Sequence, residues 1–300
     1  MSVELCGVKL KSPLIAASGT FGFGREYDEF YNISAWGAIS VKGLTDEPRV
    51  GNPPPRIAET ASGILNSVGL QNPGVDAFIR DELPRLVATG VTVIANVAGS
   101  TVESYTEAAR KLSDSPVAMI ELNISCPNVR QGGAQFGASP EEAARVTSAV
   151  RGVCSRPLMV KLSPNVTDIT AIARAVQDAG ADAVSLINTV AGMAIDARAR
   201  RPALANITGG LSGPAIKPVA LRMVWQTAKC LRIPVAGMGG VMTGTDAAEF
   251  MIAGATAVMA GTANITDVMA GPRILRELEE FLDENGIEDV NELTGSLILN

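Results

Sequence analysis

The chain of 300 residues contains no histidine. That absence removes any Ser-His-Asp or Cys-His nucleophile system, every zinc site with histidine ligands, and every imidazole acid or base. An enzyme built on this sequence moves protons with Cys, Lys, Asp, Glu or Tyr, or leaves the chemistry to a cofactor. Cysteine is scarce too. Cys6, Cys126, Cys154 and Cys230 are far apart, with no CxxC pair and no metal-ligand spacing. Free thiols in a reducing cytoplasm follow, and no metal is expected. The fingerprint GxGxxG is missing, because Gly237-Met238-Gly239 is followed by Met242 where the third glycine belongs. No Rossmann dinucleotide site is therefore indicated. The start Met1-Ser2-Val3-Glu4-Leu5 does not read as a signal peptide. Uncharged stretches such as Phe250–Thr266 are broken by Gly, Thr and Asn and fall short of a membrane span.

Basic stripes are absent as well. The formal net charge of −6 belongs entirely to residues 273–300, which hold eight acids and two arginines. The rest of the chain balances 23 acids against 23 bases. Neither a nucleic acid nor a membrane is an expected partner. The acidic end reads as a solvated helix face.

What the sequence does have is alternation. Short apolar runs stand at Leu14–Ala17, Ala38–Val41, Val91–Val97, Ala118–Ile124, Leu158–Leu162, Ala183–Ile187, Pro234–Ala236 and Ala257–Ala260. They are nearly continuous in Val, Ile, Ala, Leu and Met, as parallel strands buried on both faces require. Helical patterns separate them, at Val75–Thr89, Val102–Leu112, Pro140–Cys154, Asp168–Ala179, Pro214–Lys229, Thr245–Ala253 and Pro272–Asn285, with a weaker one at Arg25–Tyr31. Start signals such as Ser139-Pro140-Glu141-Glu142 and final glycines such as Gly180 mark their ends. Eight unbroken strand–helix units predict an α/β fold, a closed (β/α)8 TIM barrel, spanning residues 1–300 as one domain. A doubly wound sheet is the alternative. Val3–Leu5 and Val8–Leu10 around Cys6-Gly7 predict a small N-terminal β-hairpin under the barrel. Long loops at Gly43–Gly74, Ser125–Ser139 and Asn188–Gly213 all follow strands, which places them on the C-terminal face where barrel active sites lie.

The strand ends carry polar residues that converge on that face. In order they are Ser18-Gly19, Lys42-Gly43, Asn96, Asn123 running on to Cys126, Lys161, Asn188-Thr189, Gly239-Gly240 and Gly261-Thr262. One such end means little, but eight together predict a ligand site. Glycines after the last two strands let backbone N–H groups approach a phosphate. Lys42 and Lys161 would suit an anionic substrate and a cofactor that gains negative charge. Cys126 differs from the other cysteines in following a barrel strand, inside a loop with Gly132, Gly133 and Gly137.

At these residues the sequence resembles the dihydroorotate dehydrogenases along essentially its whole length, and within them the class 1B catalytic subunit. The stretches that carry the resemblance are Ala17-Ser18-Gly19-Thr20-Phe21-Gly22, Asn66 to Gly74, Asn123-Ile124-Ser125-Cys126-Pro127-Asn128, Lys161-Leu162-Ser163-Pro164-Asn165, Asn188-Thr189, Gly209 to Gly213 and the two glycine turns. The resemblance implies a cytoplasmic FMN flavoprotein, an oxidoreductase that converts (S)-dihydroorotate to orotate in pyrimidine biosynthesis. It implies FMN contacts from Ser18, Lys42, Gly43, Asn96, Asn123, Lys161, Ile187, Gly213, Gly239, Gly240, Gly261 and Thr262. Substrate contacts would come from Lys42, Asn66, Ser67, Val68, Gly69, Leu70, Asn123, Asn128, Asn188 and Thr189. Cys126 would be the catalytic base; at a reference pKa near 8.5, roughly 3% of such a thiol is thiolate at pH 7. Electrons would leave through a partner subunit carrying FAD and a [2Fe–2S] cluster to NAD, the whole forming a heterotetramer around a homodimer core. A class 1A enzyme reducing fumarate is the nearer alternative, and a phosphate-ligand-binding barrel without turnover the remoter one.

Overall fold

A computed structural model describes residues 1–125 and 136–299 of the chain. Sixteen strands fall among them. A hairpin of β1 (Val3–Leu5) and β2 (Val8–Leu10) precedes the barrel strands β3 (Leu14–Ala16) and β4 (Ala38–Ser40). Next come β5 (Ile57–Thr60), β6 (Gly63–Asn66), β7 (Val93–Val97), β8 (Met119–Asn123), β9 (Leu158–Lys161) and β10 (Ala183–Leu186). Then follow β11 (Val190–Met193), β12 (Ile195–Asp196), β13 (Arg201–Pro202), β14 (Thr208–Ser212), β15 (Val235–Met238) and β16 (Ala257–Ala260).

Strands β3, β4, β7, β8, β9, β10, β15 and β16 pair in that order, all parallel, and β16 closes onto β3 through Val258↔Leu14. The doubly wound alternative is therefore excluded. Every residue of these eight strands is buried. That is why the sequence shows continuous apolar runs rather than alternation: one face fills the barrel and the other packs on helices.

The helices are α1 (Arg25–Asp28), α2 (Val75–Ala77), α3 (Leu83–Ala88), α4 (Val102–Ser113), α5 (Pro140–Arg151), α6 (Ile169–Asp178), α7 (Lys217–Ala228), α8 (Gly244–Ile252), α9 (Thr262–Thr266) and α10 (Ala270–Glu284). A wider π turn, Phe78–Glu82, joins α2 to α3. Their starts follow local chemistry. The Ser139 side chain accepts from the Glu142 N–H ahead of α5, with Pro140 in the first turn, and Asp168 accepts from the Thr170 N–H ahead of α6.

The hairpin is the predicted plug. Val3, Leu5 and Leu10 are buried, and the Cys6 Sγ lies 4.0 Å from Met119 Sδ at the first residue of β8. It therefore covers the N-terminal mouth of the barrel. At the opposite mouth the loops after β4 and β10 hold regular structure that no apolar run in the sequence announces. Strands β5, β6, β14 and β11 form an antiparallel sheet in the order β5-β6-β14-β11, with Gly210 opposite Asn66 and Leu211 opposite both Leu65 and Val190. This sheet roofs one side of the C-terminal face. The first βα loop is fixed by aromatic packing: Phe21 stacks on Tyr27 at 4.0 Å and meets Trp36 edge-on at 5.6 Å. The Tyr27 hydroxyl lies 3.0 Å from the carbonyl oxygens of both Thr20 and Asn264, tying the first loop to the last unit.

Candidate active site

A cavity opens at the C-terminal mouth of the barrel, between the strand ends and the antiparallel sheet. Most of the residues singled out from the sequence line it. They include Ser18, Lys42, Gly43, Asn123, Lys161, Ile187, Asn188, Thr189, Gly213, Gly239, Gly240, Gly261 and Thr262. Asn66 comes from the end of β6, and Val68, Gly69 and Leu70 from the loop that follows it.

Asn96 and Ser67 stand behind the wall instead. Both are fully buried and neither lines the cavity. Asn96 is at the fourth position of β7, one step short of the rim, and its side chain meets Glu121 and Asn123 inside the barrel. Ser67 sends its backbone N–H to the Arg56 carbonyl, while its hydroxyl has no partner among the described residues. Cys126 and Asn128 lie outside the described residues.

One end of the cavity is a cradle of backbone. Gly240 has φ +81°, and a Cβ there would stand 2.7 Å from Lys217 Cβ and 3.0 Å from the Gly213 carbonyl oxygen. Gly213 has φ +99°, and its Cβ would stand 2.8 Å from Gly63 Cα. Three chain segments approach more closely than any side chain permits. Thr262 adds a hydroxyl that donates to Ser212 Oγ at 2.9 Å. A concave surface of main chain beside a loop that opens a helix suits a phosphate group.

The other end is lined by amides and lysines. The loop from Ser67 to Asn72 is pinned from two sides. Asn52 Nδ2 donates to the Ser67 carbonyl at 2.8 Å, and Asn72 Nδ2 donates to the Leu70 carbonyl at 2.7 Å. A Cβ on Gly69, at φ +76°, would stand 2.5 Å from Asn52 Cγ, so the pin and the glycine require each other. Asn165 fastens the segment after β10 in the same way: its Nδ2 donates to the Thr189 carbonyl at 3.0 Å, and its Oδ1 accepts from Ala191 N–H at 2.8 Å. Asn188 Nδ2 donates to Ser125 Oγ at 2.7 Å and Asn188 Oδ1 accepts from Thr189 N–H at 2.8 Å.

Lys161 closes β9 with 4% of its surface exposed, on the cavity wall. It has no hydrogen-bond or ion-pair partner among the described residues. A nearly buried ammonium without a partner is costly unless a ligand supplies the opposite charge or a strong acceptor. Lys42, two residues beyond β4, lines the same space.

Sequence reasoning missed three kinds of residue. Ile57, Ile64, Ile216, Met238, Met259 and Ile265 give the cavity its apolar walls. They were indistinguishable from core residues in the sequence. Asn52, Asn72 and Asn165 hold the loops through contacts that only the fold creates. Glu121 is fully buried inside the barrel. Its signal was available: it sits two residues before Asn123 in a strand, so period two turns both the same way.

The chain can now be set beside known proteins. The family described as Dihydroorotate dehydrogenase matches residues 1–282. A protein of Geotalea uraniireducens (strain Rf4), named dihydroorotate dehydrogenase B (NAD(+)), catalytic subunit, is 57% identical over 299 residues, covering 99% of this chain and 98% of its own length. One of the same name from Geobacter metallireducens (strain ATCC 53774 / DSM 7210 / GS-15) is 57% identical over 298 residues, with the same coverage of both chains. Another from Alkaliphilus oremlandii (strain OhILAs) is 54% identical over 297 residues, again covering 99% and 98%. Identity of this extent leaves no part of the barrel or its C-terminal face unmatched, and the chain belongs to the dihydroorotate dehydrogenase family, alongside its B-type catalytic subunits.

Proposed function

We propose that the chain oxidises (S)-dihydroorotate to orotate in pyrimidine biosynthesis, as the FMN-binding catalytic subunit of an NAD-linked enzyme. One observation carries the reading. A single cavity joins a main-chain cradle fit for a phosphate to a wall of asparagine amides and two lysines fit for a flat, anionic, carbonyl-rich substrate.

The residues present suit FMN. Gly213, Gly239, Gly240, Gly261 and Thr262 would hold the phosphate. Ser18, Gly43, Asn123, Lys161 and Ile187 would border the ring system, with Asn96 acting from behind Asn123. When bound there, FMN would supply the hydride acceptor for C6 of dihydroorotate. Lys161 holds positive charge where the cofactor gains negative charge. Asn66, Val68 to Leu70, Asn123, Asn188, Thr189 and Lys42 would orient the substrate through its carboxylate and carbonyl oxygens, with Asn128 beside them. Cys126 Sγ would take the proton from C5, so that loss of one proton and one hydride leaves the C5–C6 double bond of orotate. No histidine competes for that role.

The relatives' name as catalytic subunits supports a separate partner. We assign that partner the FAD and [2Fe–2S] groups that relay electrons to NAD, in a heterotetramer around a homodimer of this chain. NAD in the relatives' names favours this over a class 1A enzyme reducing fumarate. No helix among the described residues is long and apolar enough to cross a membrane.

The test is an assay of the chain with and without its partner. NADH should form from dihydroorotate only when both are present. Robust fumarate turnover by the chain alone would overturn the NAD-linked reading. Cys126→Ala should lose turnover by at least about a hundredfold while keeping the flavin absorbance, the size of a general-base loss. Unchanged turnover would remove Cys126 from the proton transfer.

A further inference from the structure

Glu121, in the middle of β8, is fully buried below the cavity and has no part in the chemistry described so far. A buried carboxyl is expensive unless its oxygens find donors. Both oxygens of this one do. Its Oε2 accepts from Ser40 Oγ at 2.6 Å and from Asn96 Nδ2 at 2.6 Å, and its Oε1 accepts from Ser185 Oγ at 2.7 Å.

From Asn96 a chain of bonds climbs to the cavity. Asn96 Oδ1 accepts from Asn123 Nδ2 at 3.3 Å. Asn123 Oδ1 accepts from Ser125 Oγ at 2.8 Å and Ser125 N–H at 3.2 Å. Ser125 Oγ accepts from Asn188 Nδ2 at 2.7 Å, and Asn188 Oδ1 accepts from Thr189 N–H at 2.8 Å. Every link donates in one direction, down toward Glu121.

That common direction has a cause. An amide can be turned end for end, whereas a carboxylate only accepts. With Glu121 at the foot, Asn96 must turn its amide nitrogen down and its oxygen up. Asn123 then turns its nitrogen to Asn96, and the same sense passes through Ser125 to Asn188, where the backbone N–H groups of Ser125 and Thr189 hold the two amide oxygens in agreement. Asn123 and Asn188 line the cavity with their carbonyl oxygens already engaged by the protein. What their amide nitrogens can offer a ligand is N–H, shared at Asn188 with the Ser125 carbonyl at 3.4 Å.

We propose that Glu121 is a positioning residue that sets the polarity of this chain, so that the asparagines present donors to the carboxylate and carbonyl oxygens of the substrate. It touches neither substrate nor cofactor and acts through Asn96 and Asn123. The proposal rests on the cavity being the dihydroorotate site.

Calorimetric titration of orotate into the FMN-loaded protein tests it. Glu121→Met removes the acceptor at similar length and should weaken orotate binding at least about tenfold, the size of one misdirected hydrogen bond, with flavin content unchanged. Ser185→Ala removes a bond to the same carboxylate but none from the chain. It should lower the melting temperature and keep orotate affinity within about twofold, which separates lost stability from lost positioning. A reciprocal pair supplies the second measurement. Asn96→Asp sets two carboxylates against each other and should weaken orotate. Adding Glu121→Gln lets the glutamine amide donate to Asp at 96, which still accepts from Asn123, and should recover at least about tenfold relative to Asn96→Asp alone. Glu121→Met binding orotate as tightly as wild type overturns the proposal. So does a double variant no tighter than Asn96→Asp, which decides the matter where Glu121→Met does not fold. Wild-type protein that fails to bind orotate overturns the functional reading instead, and this proposal with it.

Discussion

Lys161 shows what single residues contribute to this site. Its side chain is 4% exposed at the cavity wall, with no partner among the described residues, so a charge there is costly until a ligand offsets it. Replacing it with Met removes that burden. Lys161→Met should raise the stability of the flavin-free chain by about 1 kcal/mol or more and weaken FMN binding at least about tenfold. Thermal unfolding and flavin titration check the two halves separately. A variant with unchanged FMN affinity would take Lys161 out of the cofactor site. Cys6 is the opposite case. Burial pushes its thiol up to about 12, with Asp182 adding to the shift. Native protein at pH 8 should therefore alkylate at Cys6 far more slowly than unfolded protein, as mass spectrometry of labelled peptides would read. Both residues were visible in the sequence next to strands, and Cys6 could be read there as a buried, inert thiol. The burial of Lys161, which decides its behaviour, could not.

At the scale of elements, α8 shows how the phosphate end is held. Thr243 and Asp246 form a capping box, and Asp246 also accepts from the Met242 and Thr243 N–H groups. Lys217, at the start of α7, lies 2.6 Å from Asp246 and 2.8 Å from Glu249. Burial pushes the Asp246 carboxyl up, but the Lys217 ammonium and the backbone donors outweigh it, and the group stays below the usual carboxylate range. A depressed folded pKa means stability that is present above the unfolded value of 3.8 and lost as pH falls through the lower folded value. Asp246→Asn should cost about 1–2 kcal/mol at pH 7, with the difference from wild type shrinking below pH ~4 as the wild-type carboxylate is protonated. A constant difference down to pH ~2 would refute the assignment. The Glu277 carboxylate caps the same helix, accepting from Gly244 N–H at 2.8 Å. So the acidic end of the chain is not a purely solvated face.

For the whole molecule, the barrel separates stability from function along its axis. The hairpin seals the N-terminal mouth with Val3, Leu5 and Leu10, while the polar ring, the cavity and the antiparallel sheet occupy the other. Leu5→Ala opens a hole in a fully buried position and should cost about 2–5 kcal/mol. Its KM for dihydroorotate should match wild type, because the barrel core stands between the hole and the site. A KM that moves with Leu5 would show that the two mouths are coupled.

The sequence by itself determined the barrel. Parallel strands buried on both faces must be written as unbroken apolar runs, so eight runs with capped helices between them fix both element type and order. It also named most of the ring, because a strand's last residues and those just beyond it border the open mouth of the barrel rather than its packed core. Tertiary structure decided the rest. The sheet of β5, β6, β14 and β11 joins Asn66 to Gly210 across 144 positions, and its strands carry glycines and exposed residues that give no run to read. Which ring members face the cavity depended on how far each strand reaches: Asn123 ends β8 at the rim, whereas Asn96 is followed by Val97 within β7 and stays inside. The direction of the amides was beyond any linear pattern. It follows from a carboxylate on one strand meeting donors on three others, and only closure of the barrel brings those four together.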